Sequence, residues 1–160
     1  MRNQLTSILG IIVILGLHSC SPKIQPYSPY SLYSGEVNFL YKGEQGTIAV
    51  ESIGYGNTQS EAVADAQINA IKILLFKGLP GTELNVPLIE NENDAKSTYR
   101  DYFQNLFEQG NYIKFIMSST VSSSPIKKVK IKKITLDLKI NYNSLRKDLE
   151  QNQVIRKFGY

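Results

Sequence analysis

The stretch from Thr58 to Gly78 constrains this chain more than any other. Ala62, Ala66 and Ala70 recur at every fourth position, and Ile73 and Leu74 continue the row. Four-residue spacing places side chains on one face of an α-helix. A face of alanines has little bulk, so it suits a helix lying close on a sheet. Thr58 and Glu61 have the spacing of a capping box, which fixes where the helix starts. Gly78 and Pro80 stop it. Gly54-Tyr55-Gly56 stands immediately before the helix and permits a tight strand-to-helix turn.

Strand signals flank this helix. Val37, Phe39 and Tyr41 alternate with Glu36, Asn38 and Lys42, the period of a half-buried strand. Residues 42–46 (KGEQG) read as a turn. Ile48 and Val50 open a second strand, and the shift of parity to Ile53 and Tyr55 predicts a bulge within it. Residues 78–95 form a loop carrying Glu83, Glu90, Glu92 and Asp94. A second helix is expected from Asp94 to Gln109. Tyr99, Tyr102, Phe103, Leu106 and Phe107 would form its apolar face, and Gly110 would end it. Ile113, Phe115 and Met117 alternate as a third strand, with a polar end in the serines from Ser118 onward. The fourth strand spans about Ile126 to Tyr142. Its parity changes between Ile131 and Ile134, so a bulge is expected at Lys132-Lys133. Asn143 is the expected cap of a short helix reaching Glu150, and Val154–Phe158 suits a last short strand. The expected class is α+β: a mostly antiparallel sheet of about four strands, two main helices on one face, and a short C-terminal helix.

The first twenty residues have a different character. Met1-Arg2-Asn3-Gln4 carries one positive charge, and Leu5–Leu17 is almost wholly apolar. Thirteen residues are too few to cross about 30 Å of hydrocarbon as a helix, but they fit the apolar part of a signal peptide. Leu17-His18-Ser19-Cys20 resembles the lipobox of bacterial lipoprotein signals, with His18 a departure from the usual small or aliphatic residue. The resemblance implies cleavage before Cys20 and lipid on its sulfur and amine. Multiple acyl chains, at about 0.8 kcal/mol per buried CH₂, give stable anchoring. The expected organisation is a signal peptide over 1–19, a lipidated Cys20 with a spacer over 20–34, and one domain over 35–160. Residues 21–34 hold Pro22, Pro26 and Pro29, which favour polyproline II. Fully extended in that form, the segment spans about 43 Å. Tyr27, Tyr30 and Tyr33 recur at its three-residue period, so the segment is a tether or a tyrosine stripe that docks on the domain or a partner. Ser21, not Asp, stands directly after Cys20, so the signal for inner-membrane retention is missing, and the resemblance favours the outer membrane.

The residue inventory narrows the chemistry. Cys20 is the only cysteine, so no intramolecular disulfide is possible. The only histidine, His18, lies in the segment expected to be removed. Loss of Arg2 with that segment takes the net charge from +4 to +3, a small bias toward anionic partners. Triads built on histidine and zinc sites built on histidine or cysteine are thereby excluded. Gly54-Tyr55-Gly56 begins like a dinucleotide fingerprint, but Gln59 stands where the third glycine belongs. No Gly-Lys-Ser/Thr sequence is available for a P-loop. The acidic loop residues offer a Ca²⁺ site or a glycosidase pair if they converge, and otherwise a solvated loop. No cofactor, no metal site and no catalytic residue is expected.

Lys127, Lys128, Lys130, Lys132 and Lys133 put five lysines in seven positions. On a strand Lys128, Lys130 and Lys132 share one face. They either meet anionic lipid, lipopolysaccharide or an acidic protein, or protect a strand from aggregation. Nucleic acid is not expected as a partner.

Gly54-Tyr55-Gly56, Glu61-Ala62, Asp65-Ala66 and Asn69-Ala70 form a GxG…EA..DA..NA pattern. It resembles small outer-membrane lipoproteins related to the N-terminal domain of the flagellar assembly T protein. Residues 144–149 (SLRKDL) and 155–159 (IRKFG) look like the ending of such envelope lipoproteins. The resemblance implies an α+β envelope module without known catalysis and transfers no site residues. The function expected is a lipid-anchored, non-enzymatic interaction or assembly module with an envelope protein partner. The alternatives are a small-molecule or lipid-binding module and a carboxylate-dependent hydrolase.

Overall fold

The computed structural model describes residues 36–123 and 131–157. Strands β1 (Val37–Lys42), β2 (Thr47–Gly56), β3 (Ile116–Ser123) and β4 (Lys132–Asn141) form one antiparallel sheet in the order β1-β2-β4-β3. The two long strands are central. Helices α1 (Gln59–Phe76), α2 (Glu92–Thr98) and α3 (Arg100–Phe103) join β2 to β3, and α4 (Tyr142–Gln151) follows β4. The α+β class is therefore present, with four strands and a short C-terminal helix. None of the described helices is long and apolar enough to cross a membrane.

The even-numbered residues of the central strands build the core. Ile134, Leu136, Leu138 and Ile140 are buried, and Gly54, Ser52, Val50 and Ile48 stand opposite them in β2. Ala62, Ala66 and Ala70 of α1 are fully buried in the same cluster. The pairing of β2 with β4 runs without a register shift from Thr47↔Asn141 to Gly56↔Lys132. Neither the bulge expected in β2 nor that expected at Lys132-Lys133 is there. The shift of apolar parity in β2 has another cause. Its core-facing positions near the helix carry the smallest residues, Ser52, Gly54 and Gly56, so the large side chains of this stretch are Ile53, itself buried, and Tyr55, half-buried, on the opposite face.

The bulges lie on the edge strands instead. In β1 the register shifts between Phe39 and Tyr41, so Phe39 faces Val50 and Tyr41 faces Ala49. Neighbours two apart in β1 thus lie beside adjacent residues of β2, and Tyr41 turns to the outer face, 55% exposed. In β3 the shifts fall between Ile116 and Ser118 and between Val121 and Ser123. Bulges of this kind blunt sheet edges.

The helix start at Thr58 is as expected. Its Oγ1 accepts from the Glu61 amide at 3.1 Å, and Glu61 Oε2 accepts from the Asn57 amide at 2.8 Å. The far end is closed by the following loop. The amides of Leu88 and Ile89 donate to the carbonyls of Leu74 and Leu75 at 3.2 and 2.8 Å. Those last-turn carbonyls would otherwise lack partners.

The second helix is broken. It begins at Glu92 rather than about Asp94, with Asn91 capping α2 by accepting from the Asp94 amide, and the chain turns at Tyr99 (φ −113°, ψ 41°) before α3. Gln104–Glu108 continues as a π turn, closed by the Gln109 amide donating to the Gln104 carbonyl. The expected apolar face survives, because Phe103, Leu106 and Phe107 are all buried. After Gly110 (φ 75°) comes a 3-10 turn over Asn111–Phe115 where a strand was expected. Tyr112 and Phe115 are buried at its three-residue period, and Ile113 is exposed. That period explains why β3 begins only at Ile116. The cap of α4 is Asn141, whose Oδ1 accepts from the Ser144 amide at 2.9 Å, rather than Asn143. Residues 154–157 form no strand, and Phe158 lies outside the described residues.

Candidate functional site

The GxG…EA..DA..NA residues occupy one junction, and their geometry explains the pattern as architecture. Gly54 and Gly56 let α1 approach until no side chain fits between. A Cβ on Gly54 would lie 2.1 Å from the Ala62 carbonyl oxygen and 2.3 Å from the Ala66 amide nitrogen. The Ser52 hydroxyl donates across the same gap to the Ala66 carbonyl at 2.7 Å.

Asp65 and Asn69 act one strand further out. The Ile53 amide donates to the Glu36 carbonyl, so the polar groups of Ile53 point toward β1, and those of Tyr55, two residues on, do the same. Among the described residues the register of β1 begins at Val37↔Ser52, and none of them pairs with Tyr55 from that side. Asp65 Oδ2 accepts from the Tyr55 amide at 2.9 Å, and Asn69 Nδ2 donates to the Ile53 carbonyl at 3.3 Å and to Asp65 at 3.2 Å. Two helix side chains thus complete the ladder where the edge strand stops. Burial pushes the Asp65 carboxyl above its ordinary range. The Tyr55 amide, Asn69 and the charge of Lys72 oppose that shift. Among the described residues, every buried side-chain nitrogen and oxygen has a hydrogen-bond partner.

The acidic loop residues do not converge. Glu83 pairs with Lys42 of β1, and Glu92 pairs with Lys96 one turn along α2. Asp94 lies in the Asn91 cap, and Glu90 is exposed. Among the described residues no three acidic, cysteine or histidine side chains are grouped to hold a metal ion. Lys132 stands at the start of β4, half-buried and paired with Gly56. Lys128, Lys130 and Cys20 lie outside the described residues.

Two other surfaces have the form of binding sites. The first is the edge of β3. Its eight residues, IMSSTVSS, carry no charge, and seven of them are exposed. Met117 and Val121 are 56% and 46% exposed. Among the described residues no strand pairs with its outer side. The serine run suggested only the end of a strand, because serine carries little strand propensity.

The second is an open cleft of about 400 Å³ between α1 and the α2–α3 turn. Phe103 and Phe107 form its floor, with ring centroids 6.3 Å apart and planes 10° from parallel. Phe76 meets Phe103 at 5.7 Å with the ring planes tilted by 47°. Lys72, Lys96 and Arg100 line the rim with Glu108. The Lys72 ammonium lies 5.7 Å from the Phe107 centroid, and that of Lys96 5.1 Å from the Phe76 centroid. The expected aromatic face supplied the floor. The cations come from three separate elements, so their meeting has no signature in sequence.

Two smaller features complete this region. Tyr102 Oη donates to Asp148 Oδ2 at 2.9 Å, and Lys114 Nζ donates to Asp148 Oδ1 at 2.7 Å. Burial, then the Asp148 hydrogen bond and charge, pushes the Tyr102 hydroxyl far above its ordinary range. A further cleft of about 430 Å³ lies between Tyr99, Glu150 and the turn at Val154–Lys157. Comparisons with protein-family models, with curated proteins and with solved structures return no match for this chain.

Proposed function

We propose that this chain is a lipid-anchored envelope protein that works as a non-enzymatic interaction module. In this reading residues 1–19 are removed, Cys20 carries the lipid, and residues 21–34 hold the domain off the membrane. The favoured location is the outer membrane. The observation that carries the interaction role is the β3 edge: an uncharged, exposed strand whose outer backbone groups are a template for an extended segment of a partner protein. Its bulges leave Ser118–Val121 as the regular stretch where such a segment would pair. The lysines that follow β3 in sequence would favour a partner with acidic residues beside that segment.

The test is photo-crosslinking in native envelopes, with the probe placed at Thr120 in one strain and at Lys147 of α4 in another. The expected result is a discrete adduct with an envelope protein from Thr120 only, weakened by Val121→Pro. Equal adducts from both positions, or none from Thr120, would overturn the assignment of β3. The anchor has its own readout, since Cys20→Ala should abolish acyl labelling and leave the precursor unprocessed. Acyl-labelled Cys20→Ala protein would refute lipidation at that residue.

A further inference from the structure

We infer that β3 pairs with β3 of a second copy of this chain, antiparallel and about a two-fold axis at Ser119. The inference rests on the reading of β3 as an interaction edge and names the segment that pairs there. It begins from the positions that the helices leave bare. Ser119 and Val121 stand opposite Leu138 and Leu136, so they share the core face of the sheet, where α1 packs over β2 and β4. Met117, two residues before Ser119, lies on that face too. Gln67 Nε2 of α1 donates to the Ser119 Oγ at 3.4 Å. Met117 and Val121, on either side of Ser119, are 56% and 46% exposed. Two large apolar side chains therefore flank one serine at equal spacing, uncovered.

That spacing makes the strand complementary to itself. Directly opposed residues of two antiparallel strands share a face, so a two-fold pairing is centred on a residue. With the axis at Ser119, Met117 faces Val121 of the second copy, and Val121 faces its Met117. Ser118 and Thr120, on the other face, become two serine–threonine pairs, which suit hydrogen bonding between strands. An axis at Ser118 or Thr120 would set Met117 against a serine instead. Charge does not oppose the contact, because the strand has none to meet its own kind across the axis. In this register Ser123 lies opposite Phe115, so the two copies of Ser123 stand about 27 Å apart. The lysine-rich segments that follow begin at opposite ends of the pair, well beyond the roughly 8 Å over which charges act at physiological salt. Helices do not collide either. The two β4 strands are three strand spacings apart, about 14 Å, which exceeds the helix diameter of about 10–12 Å. The two four-stranded sheets thus join into one, and Met117 and Val121 of both copies are covered at the seam.

The test is disulfide trapping in native envelopes, with the full chain carrying single cysteine substitutions and the wild type as the baseline for Cys20. Ser119→Cys should give a covalent dimer, because that residue faces itself and opposed Cβ atoms lie about 4.5–5.5 Å apart. Ser118→Cys and Thr120→Cys should each give little alone, and a mixed dimer when differently tagged forms are expressed together. The register has a second readout. Met117→Lys/Val121→Lys sets like charges opposite each other at both apolar pairs and should lower the Ser119→Cys dimer at least about fivefold. Met117→Lys/Val121→Glu sets opposite charges there and should restore it, and thermal melting checks that both variants fold. No dimer from Ser119→Cys above the wild-type baseline, equal dimers from all three positions, or equal loss in the two folded charge variants would overturn the inference. A Thr120 photo-adduct with a different envelope protein, without the Ser119→Cys dimer, removes the second copy and leaves the β3 edge standing. Neither adduct nor dimer removes both.

Discussion

Replacing Gly54 by alanine adds one methyl group at the tightest point of the molecule. That Cβ would sit 2.1 Å from the Ala62 carbonyl oxygen, 2.3 Å from the Ala66 nitrogen and 2.8 Å from the Ala66 Cβ. The first two are backbone atoms of α1, so no rotamer change relieves them. The closest contact is about 1.3 Å short of the 3.4 Å at which ordinary packing begins. If the helix withdraws by that much, three hydrogen bonds lengthen together. They are Ser52 to the Ala66 carbonyl at 2.7 Å, the Tyr55 amide to Asp65 at 2.9 Å, and Asn69 to the Ile53 carbonyl at 3.3 Å. All three pass beyond bonding distance. Overpacking costs about 1–3 kcal/mol, and each lost bond about 1 kcal/mol, so about 3–5 kcal/mol is expected with part of the strain shared between the two. Small domains have only about 5–15 kcal/mol in total. At about 4 °C per kcal/mol, the melting temperature should fall by roughly 12–20 °C. Thermal unfolding followed by circular dichroism measures this, and urea unfolding measures the free energy, with Gly81→Ala as the control. Gly81, unlike Gly54, has a positive φ of 75°, and its added Cβ meets nothing within 4 Å, so its substitution carries only a backbone cost of about 1–2 kcal/mol. A second control is Ala66→Gly in the Gly54→Ala background. It should not restore stability, because the backbone contacts persist. If Gly54→Ala costs no more than Gly81→Ala, close helix-to-sheet contact is not what holds α1 in place.

Other expectations follow from the same geometry. Burial raises the Asp65 carboxyl above its unfolded value of 3.8, so the folded state favours the protonated acid. The stabilisation linked to that proton is present below about pH 3.8 and is lost as pH rises through the folded value. Asp65→Asn keeps an acceptor for the Tyr55 amide and has no charge to bury. Its urea midpoint relative to the wild type should therefore increase from pH 3.5 to pH 7, and a flat or falling difference would contradict the shift. Tyr102→Phe removes the bond to Asp148 and should cost about 1–2 kcal/mol by thermal melting. Lys114→Met in that background should cost less than it does alone only if the two bonds to Asp148 are coupled, which a double-mutant cycle reads directly. Thr58→Ala removes the α1 cap and should cost about 1 kcal/mol in the same melts.

Local signals in the sequence located the elements whose ends are set by nearby residues. Thr58 with Glu61 placed the start of α1, and Gly78 and Gly110 placed stops, because capping and positive φ are decided within one turn. The bulges were misplaced for a physical reason. Apolar alternation marks the buried face only where that face carries large side chains. In β2 the closest approach of α1 selects Gly54 and Gly56 on the core face, which leaves Ile53 and Tyr55 as the visible pattern. At Lys132-Lys133, β4 keeps one parity from Lys132 onward, with Gly56↔Lys132 and Tyr55↔Lys133 in unbroken register. The break at Tyr99 and the π turn over Gln104–Glu108 leave no mark in the sequence, because Tyr99, Tyr102, Phe103, Leu106 and Phe107 keep helical spacing across both. The cation cluster needed Lys72, Lys96 and Arg100 to be known as spatial neighbours, and no spacing rule joins three elements.

Asp65 and Asn69 show why a motif can be specific and still carry no chemistry. A carboxylate and an amide at helix spacing, each followed by alanine, look like a site held over a sheet. Here each polar side chain bonds a backbone group that the shorter strand β1 leaves behind, and each alanine keeps the helix close enough for that reach. The spacing is fixed by two repeats meeting. Successive polar groups on one side of a strand are two residues apart, about 6.6–6.8 Å. Successive residues on one helix face are four apart, about 6 Å. Asp65 with Tyr55 and Asn69 with Ile53 are the two pairs that this match produces. The same residues are therefore unavailable for ligand binding, since every buried polar atom they offer is already bonded.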